Sequence, residues 1–115
     1  MANTFKLVTK AGVTTSDVIY TVASSTTTVV LGIMVGNTTT SQVTASVTVS
    51  SDTSNRAGAN NEANQDVELV TNAPIPAGGT LELLSGNKVV METTDVLKLA
   101  ASGASDIAVS IMEIT

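Results

Sequence analysis

Gln42-Val43-Thr44-Ala45-Ser46-Val47-Thr48-Val49-Ser50 alternates hydroxyl and small apolar side chains without a break. A period of two puts Val43, Ala45, Val47 and Val49 on one side of an extended chain. Thr44, Ser46, Thr48 and Ser50 fall on the other. A helix would mix the two sets around its circumference. A strand with one dry face and one wet face separates them.

Upstream, Thr4 to Thr9 reads as a first strand, Lys10-Ala11-Gly12 as a turn, and Asp17 to Val22 as a second strand. The second carries Val18, Tyr20 and Val22 on one face and Ile19 on the other. Ser24-Ser25 breaks it, and Thr26 to Asn37 follows, apolar on both faces. Such a two-sided run belongs in the middle of a sandwich or at a subunit contact. Downstream of the alternating strand, Asp52 to Asp66 forms a long polar loop. Val67 to Asn72 is the next strand. Ala73-Pro74-Ile75-Pro76-Ala77-Gly78-Gly79 is a turn, with Pro76 at its first corner and Gly78 at positive φ. Leu81 to Leu84, Lys88 to Glu92, Val96 to Ala101 and Asp106 to Ile114 complete the set, the first two joined by a tight Ser85-Gly86-Asn87 hairpin. In the last strand Ile107, Val109 and Ile111 face one side; Ala108, Ser110 and Met112 face the other. The pattern predicts an all-β chain folded as a single β-sandwich over residues 1–115, with eight to nine short strands connected as a jelly roll or Greek key.

With 115 residues, a chain buries about 65% of its unfolded surface. Phe5 and Tyr20 are its only aromatic residues, and it has no His, Cys or Trp. Aliphatic side chains must fill the core, and no disulfide reinforces it. This predicts moderate stability for an isolated subunit, with further burial against copies of itself or a scaffold. Ten carboxylates against five scattered cations give a net charge of −5. Without a basic stripe there is no footprint for nucleic acid or for an acidic membrane. The N-terminus lacks a basic stretch followed by an apolar core, so the expectation is a protein made in a cytoplasm.

Each motif that suggests chemistry has a plainer explanation. Ser85-Gly86-Asn87-Lys88 fits S-x-x-K, but the companion motifs of a serine acyl enzyme are missing and Gly-Asn is turn chemistry. Gly32-Ile33-Met34-Val35-Gly36 fits G-x-x-x-G. On a strand, Gly32, Met34 and Gly36 share a face and leave room for a close neighbour. Asn37-Thr38-Thr39 is a glycosylation sequon that reads as a polar strand end. Asp52, Glu62 and Asp66, with Asn55, Asn60, Asn61 and Asn64, supply oxygens that calcium prefers, but their spacing fits no EF-hand and no metal is expected. Glu82, Glu92, Glu113, Asp95 and Asp106 offer carboxylates for acid–base work, but a sugar cleft needs apolar platforms that this chain lacks. Cross-strand pairing of Glu82 or Glu92 with Lys88 or Lys98 is the expected role. No enzyme activity and no cofactor follow from these residues.

The segments Asn72–Leu83, Gly86–Lys98 and Asp106–Thr115, with Thr26–Asn37 before them, resemble small virion structural proteins of tailed bacteriophages, especially marine and cyanobacterial ones. The resemblance runs from Phe5 onward and is weakest over Asp52 to Asp66. It implies a β-sandwich assembled in several copies on a virus particle, as a head decoration (cement) protein or a neck, tail or baseplate accessory protein. The partners implied are further copies of the chain in a homo-oligomer such as a trimer, and the major capsid protein or other virion proteins. The expected contacts are Thr4, Phe5 and Leu7 in the N-terminal segment and Val29, Leu31, Ile33, Met34 and Val35 in the two-faced strand. A receptor- or glycan-binding module is the alternative from another class, and the poverty of aromatic residues counts against it.

Overall fold

The alternation at Val43 lies in one of nine strands in a computed structural model that describes residues 2–52, 64–84 and 86–115. The strands are β1 (Asn3–Val13), β2 (Ser16–Thr21), β3 (Thr27–Asn37), β4 (Val43–Ser51), β5 (Gln65–Ile75), β6 (Thr80–Leu83), β7 (Val89–Met91), β8 (Val96–Ala101) and β9 (Ser105–Ile114). β1 pairs with β9, β2 with β8, β3 with both β6 and β7, and β4 with β5, all antiparallel. First therefore pairs with last, second with next to last, and so inward. β6 and β7 occupy one strand's place along β3. This nesting is a long hairpin rolled up on itself, which is jelly-roll connectivity. The rolled chain closes as two sheets, β1-β9-β3-β6 with β7 beside β3, and β2-β8-β4-β5.

The space between the sheets is filled by aliphatic groups, as the composition requires. Val30, Ile33 and Val35 from β3 and Ile107, Val109 and Ile111 from β9 meet Val43, Ala45 and Val47 from β4 and Leu97 and Leu99 from β8. The inward set of β4 is the apolar set of its alternation, except that Val49 is half-buried near the strand end.

Bulges and edge positions account for the departures from the sequence reading. Lys10-Ala11-Gly12 is not a turn. β1 runs through it, and the register shifts between Lys10 and Val13 where Gly12 takes a φ of 68°. β5 likewise runs to Ile75, through the Ala73-Pro74-Ile75 expected in the turn. β5 is an edge strand, where a missing N–H is tolerated. The corner itself begins one residue later than expected. Pro76 opens it, its carbonyl accepting the Gly79 N–H at 2.8 Å, and Gly78 sits at a φ of 69°. In β2 the register shifts between Val18 and Tyr20, so Val18 turns outward while Ile19 and Tyr20 both pack on the core. Three strands span 11 residues each and are not short. The expected polar loop loses Gln65 and Asp66 to β5, and its central part, 53–63, lies outside the described residues, as does Ser85. The expected tight hairpin is replaced: β6 and β7 each pair with β3, end to end along it, and not with each other.

Asn37 ends β3 inside the protein. It is 3% exposed, and its amide nitrogen donates to the carbonyls of Ser41, Ile75 and Pro76 at 2.8, 3.0 and 3.2 Å. Its Oδ1 accepts from the Thr39 backbone N–H at 2.8 Å and the Thr39 hydroxyl at 2.7 Å. The sequon asparagine is therefore a satisfied buried amide tying the end of β3 to the end of β5, with no face open to a glycan. Asn37→Ala strands at least one buried carbonyl and is expected to lower stability by about 2–4 kcal/mol, read from urea unfolding.

Candidate functional site

The outward face of the β1-β9-β3-β6 sheet carries the candidate site, and register defines it. Paired residues share a face, and Ile107, Val109 and Ile111 of β9 point inward, so Ala108, Ser110 and Met112 point out. Four rows cross the sheet from these positions. Phe5, Met112, Val29 and Val90 form the first. Leu7, Ser110 and Gly32 form the second, and Thr9, Ala108, Met34 and Glu82 the third. Asp106, Gly36 and Thr80 form the fourth.

The only phenylalanine of the chain is thus on the outside. Phe5 is 72% exposed, Leu7 66%, Val90 56% and Met34 50%. In these rows the charged side chains are Glu82 and Asp106 alone. A sheet face that carries Phe at its β1 edge, Met on the two inner strands and few charges has the composition of an interface core. The outward face of the other sheet differs. Its rows run Val18, Lys98, Thr48, Glu68 and Thr21, Val96, Ser50, Asp66, which mix hydroxyls and charges.

Two open depressions interrupt the apolar face, one on each side of Met34. One, of about 380 Å³, has Gly36 and Ala108 in its lining with Thr80 and Asp106 beside them. The other, of about 310 Å³, has Gly32, Leu31 and Glu82 in its lining. Leu31 is half-buried at the point where β3 bulges between Val30 and Gly32.

Among the residues expected to make contacts, Phe5, Leu7, Val29 and Met34 come together here. Ile33 and Val35 do not. They are 1% and 0% exposed in the core, because the bulge after Val30 turns them inward. Thr4 shares its row with Glu113 on the inward side of β1. Met112, Val90 and the small residues Ala108 and Ser110 were missing from the expected set. The alternation of the last strand already separated Ala108, Ser110 and Met112 from the core residues. That signal needed only the pairing of β9 with β3 to become part of the site.

The inward side of β1 explains how this edge strand is held. Lys6 and Lys10 lie opposite Ile111 and Ile107 and point toward the gap between the sheets. Lys6 Nζ meets Glu113 Oε1 at 2.7 Å, and Lys10 Nζ meets Asp17 Oδ2 on β2 at 3.0 Å. The Tyr20 hydroxyl donates to Glu113 Oε2 at 2.5 Å and accepts from Thr28 Oγ1 at 2.7 Å. Burial and the Glu113 carboxylate push the Tyr20 hydroxyl up to about 12. The Lys6 ammonium, then the Tyr20 hydroxyl, hold Glu113 below the usual carboxylate value. Inward-pointing charges also discourage further strand pairing along this free edge.

Other described carboxylates brace turns and strand ends. Asp95 is 1% exposed and accepts the backbone N–H groups of Asp52 and Glu92 at 2.9 and 3.0 Å, which closes a turn. The expected pairing of Glu82 or Glu92 with Lys88 or Lys98 is replaced. Glu82 lies opposite Met34, and Lys98 lies on the other sheet opposite Val18 and Thr48. The Glu92 carboxylate accepts from the Thr27 hydroxyl. Among the described residues, no three of His, Cys, Asp and Glu stand together as metal ligands. The calcium candidates Asn55, Asn60, Asn61 and Glu62 lie outside those residues.

Comparisons with protein-family models, with curated proteins and with solved structures found no match.

Glu113 titrates lower in the folded chain than in the unfolded one, so its contribution is complete above the unfolded value near 4.5 and is lost as pH falls through the folded value. Tyr20 has the opposite sign. Its contribution is complete below 10 and is lost as pH rises toward about 12. Melting temperature measured against pH is expected to fall more steeply on the acid side in the wild type than in Glu113→Gln. In Tyr20→Phe the loss on the alkaline side is expected to shrink.

Proposed function

We propose that the protein is a non-enzymatic structural component of a tailed-phage virion, a head decoration protein that docks in many copies on the capsid and stabilises it. One observation carries this reading: one outer sheet face is largely apolar, with Glu82 and Asp106 its charged groups, while the opposite face mixes hydroxyls and charges. A face of that kind is stable in water only at a cost, which docking on a neighbouring protein removes. Anything that binds the folded chain and not the unfolded one also stabilises the fold. That suits a chain with a mostly aliphatic core and no disulfide. The jelly-roll sandwich agrees with the architecture that the sequence resemblance implies. In this reading the chain binds and does no chemistry. Partners in this reading are further copies of the chain and the major capsid protein, and the location is the virion.

Copy number in purified particles tests the assignment. On the order of hundreds per particle fits the head, whereas about six to a few dozen fits the neck or tail. Phe5→Glu and Met34→Glu place charges on exposed positions and are expected to leave the fold intact, with circular dichroism unchanged. Incorporation into particles, quantified by mass spectrometry, is expected to fall at least tenfold. Particles lacking the protein are expected to lose DNA at a lower temperature than complete ones.

A further inference from the structure

Gly32 and Gly36 are not required by the fold of the single chain. Neither adopts a positive φ. A Cβ placed on Gly32 would meet nothing within 4 Å, and on Gly36 only the Asp106 carbonyl oxygen at 3.9 Å, an ordinary contact. Glycine in a central strand weakens it; it often marks a bulge, as beside Gly32, or a place where something approaches the backbone, and Gly36 sits at no bulge.

Along β3 the outward positions run Val29, Gly32, Met34, Gly36, which is large, small, large, small. Read in the opposite direction the order becomes small, large, small, large. A second β3 stacked antiparallel on the first therefore sets Val29 over Gly36 and Met34 over Gly32, and does so reciprocally. The two depressions flanking Met34 are the spaces those side chains enter. Few partners other than the chain itself would match this order from both sides, because only a two-fold axis lying across the strands pairs each position with its own complement.

We infer that two copies of the chain pack face to face through the β1-β9-β3-β6 sheets about such an axis, with Met34 of each copy seated over Gly32 of the other. This rests on reading that face as a docking surface, and it names the occupant. Sheets stacked in this way lie about 10 Å apart with strand directions within about 30°. Four strands about 4.8 Å apart and four rows about 6.8 Å apart give a footprint on the order of 500 Å² per copy. The pair then covers about 1,000 Å², the lower end of specific interfaces, so the dimer is reversible and concentration-dependent.

Sedimentation equilibrium over a concentration series tests the inference, with the wild type beside Gly36→Val, Gly32→Val and, on the opposite face, Thr48→Val. The wild type is expected to approach twice the chain mass. Gly36→Val and Gly32→Val are expected to keep the fold, with melting temperatures of the dilute protein no lower than wild type, and to weaken association at least tenfold. Thr48→Val is expected to associate like wild type. A wild type that stays monomeric throughout, a species of three chain masses, or a dimer indifferent to both glycine variants would overturn the two-fold pairing. Particle binding of the same proteins separates the two readings. A monomeric wild type that still decorates particles refutes the pairing and leaves the docking surface standing.

Discussion

The bulge in β3 between Val30 and Gly32 sets the character of both faces of one sheet. Before it, Thr28 and Val30 point inward; after it, Ile33, Val35 and Asn37 do. One extra residue changes the phase of the alternation. Without that shift, Ile33 and Val35 would face water, and Gly32, Met34 and Gly36 would face the core. The core would then exchange two fully buried branched side chains for Met34 and two glycines, a net loss of about one buried side chain, or about 1.5–3 kcal/mol. The same shift puts Met34 between two shallow depressions on the outside. Core packing and the apolar outer face are therefore both set by a single irregularity in one strand.

Around that strand the molecule divides its duties by sheet. β2-β8-β4-β5 presents Thr, Ser, Lys and Glu to water, while β1-β9-β3-β6 presents Phe5, Leu7, Met112, Val90 and Met34. The aliphatic interior needs no aromatic anchor, which leaves Phe5 free to stand outside. The polar group Lys6, Glu113, Tyr20 and Thr28 then holds β1 from its inward side, so the strand that carries Phe5 and Leu7 is fixed without covering them. Asn37 plays the corresponding part at the far end of β3, where it gathers the carbonyls of Ser41, of Ile75 at the end of β5 and of Pro76.

Much of the fold was legible in the chain because its signals are local. The Thr/Val alternation of β4 and the Ile107-Val109-Ile111 series of β9 gave strand type and inward face directly. A run for each of the nine strands was visible, though β1 and β5 extend through segments that read as turns. What was not legible depends on pairing. Gly12 and Val18 sit at bulges that no single strand announces, and Pro74 reads as a turn residue until β5 is known to be an edge. The outer face was half visible. Phe5, Leu7, Val29 and Met34 were recognisable as apolar groups in need of cover. Their union with Met112 and Val90 required the rows across β1, β9, β3 and β7. Ile33 and Val35 looked equivalent to Met34 because a run that is apolar on both sides hides the phase of its alternation.

The central proposal is that the outward face of β1-β9-β3-β6 is covered when the protein is docked on a phage particle. Oxidative footprinting measures this most directly, because the methionines report from both environments. Met34 is half exposed in the free chain and Met91 is fully buried. Brief hydroxyl-radical exposure should oxidise Met34 readily in the free, dilute protein and far more slowly in the assembled particle, with Met91 slow in both. Equal oxidation of Met34 in the two states would contradict the account.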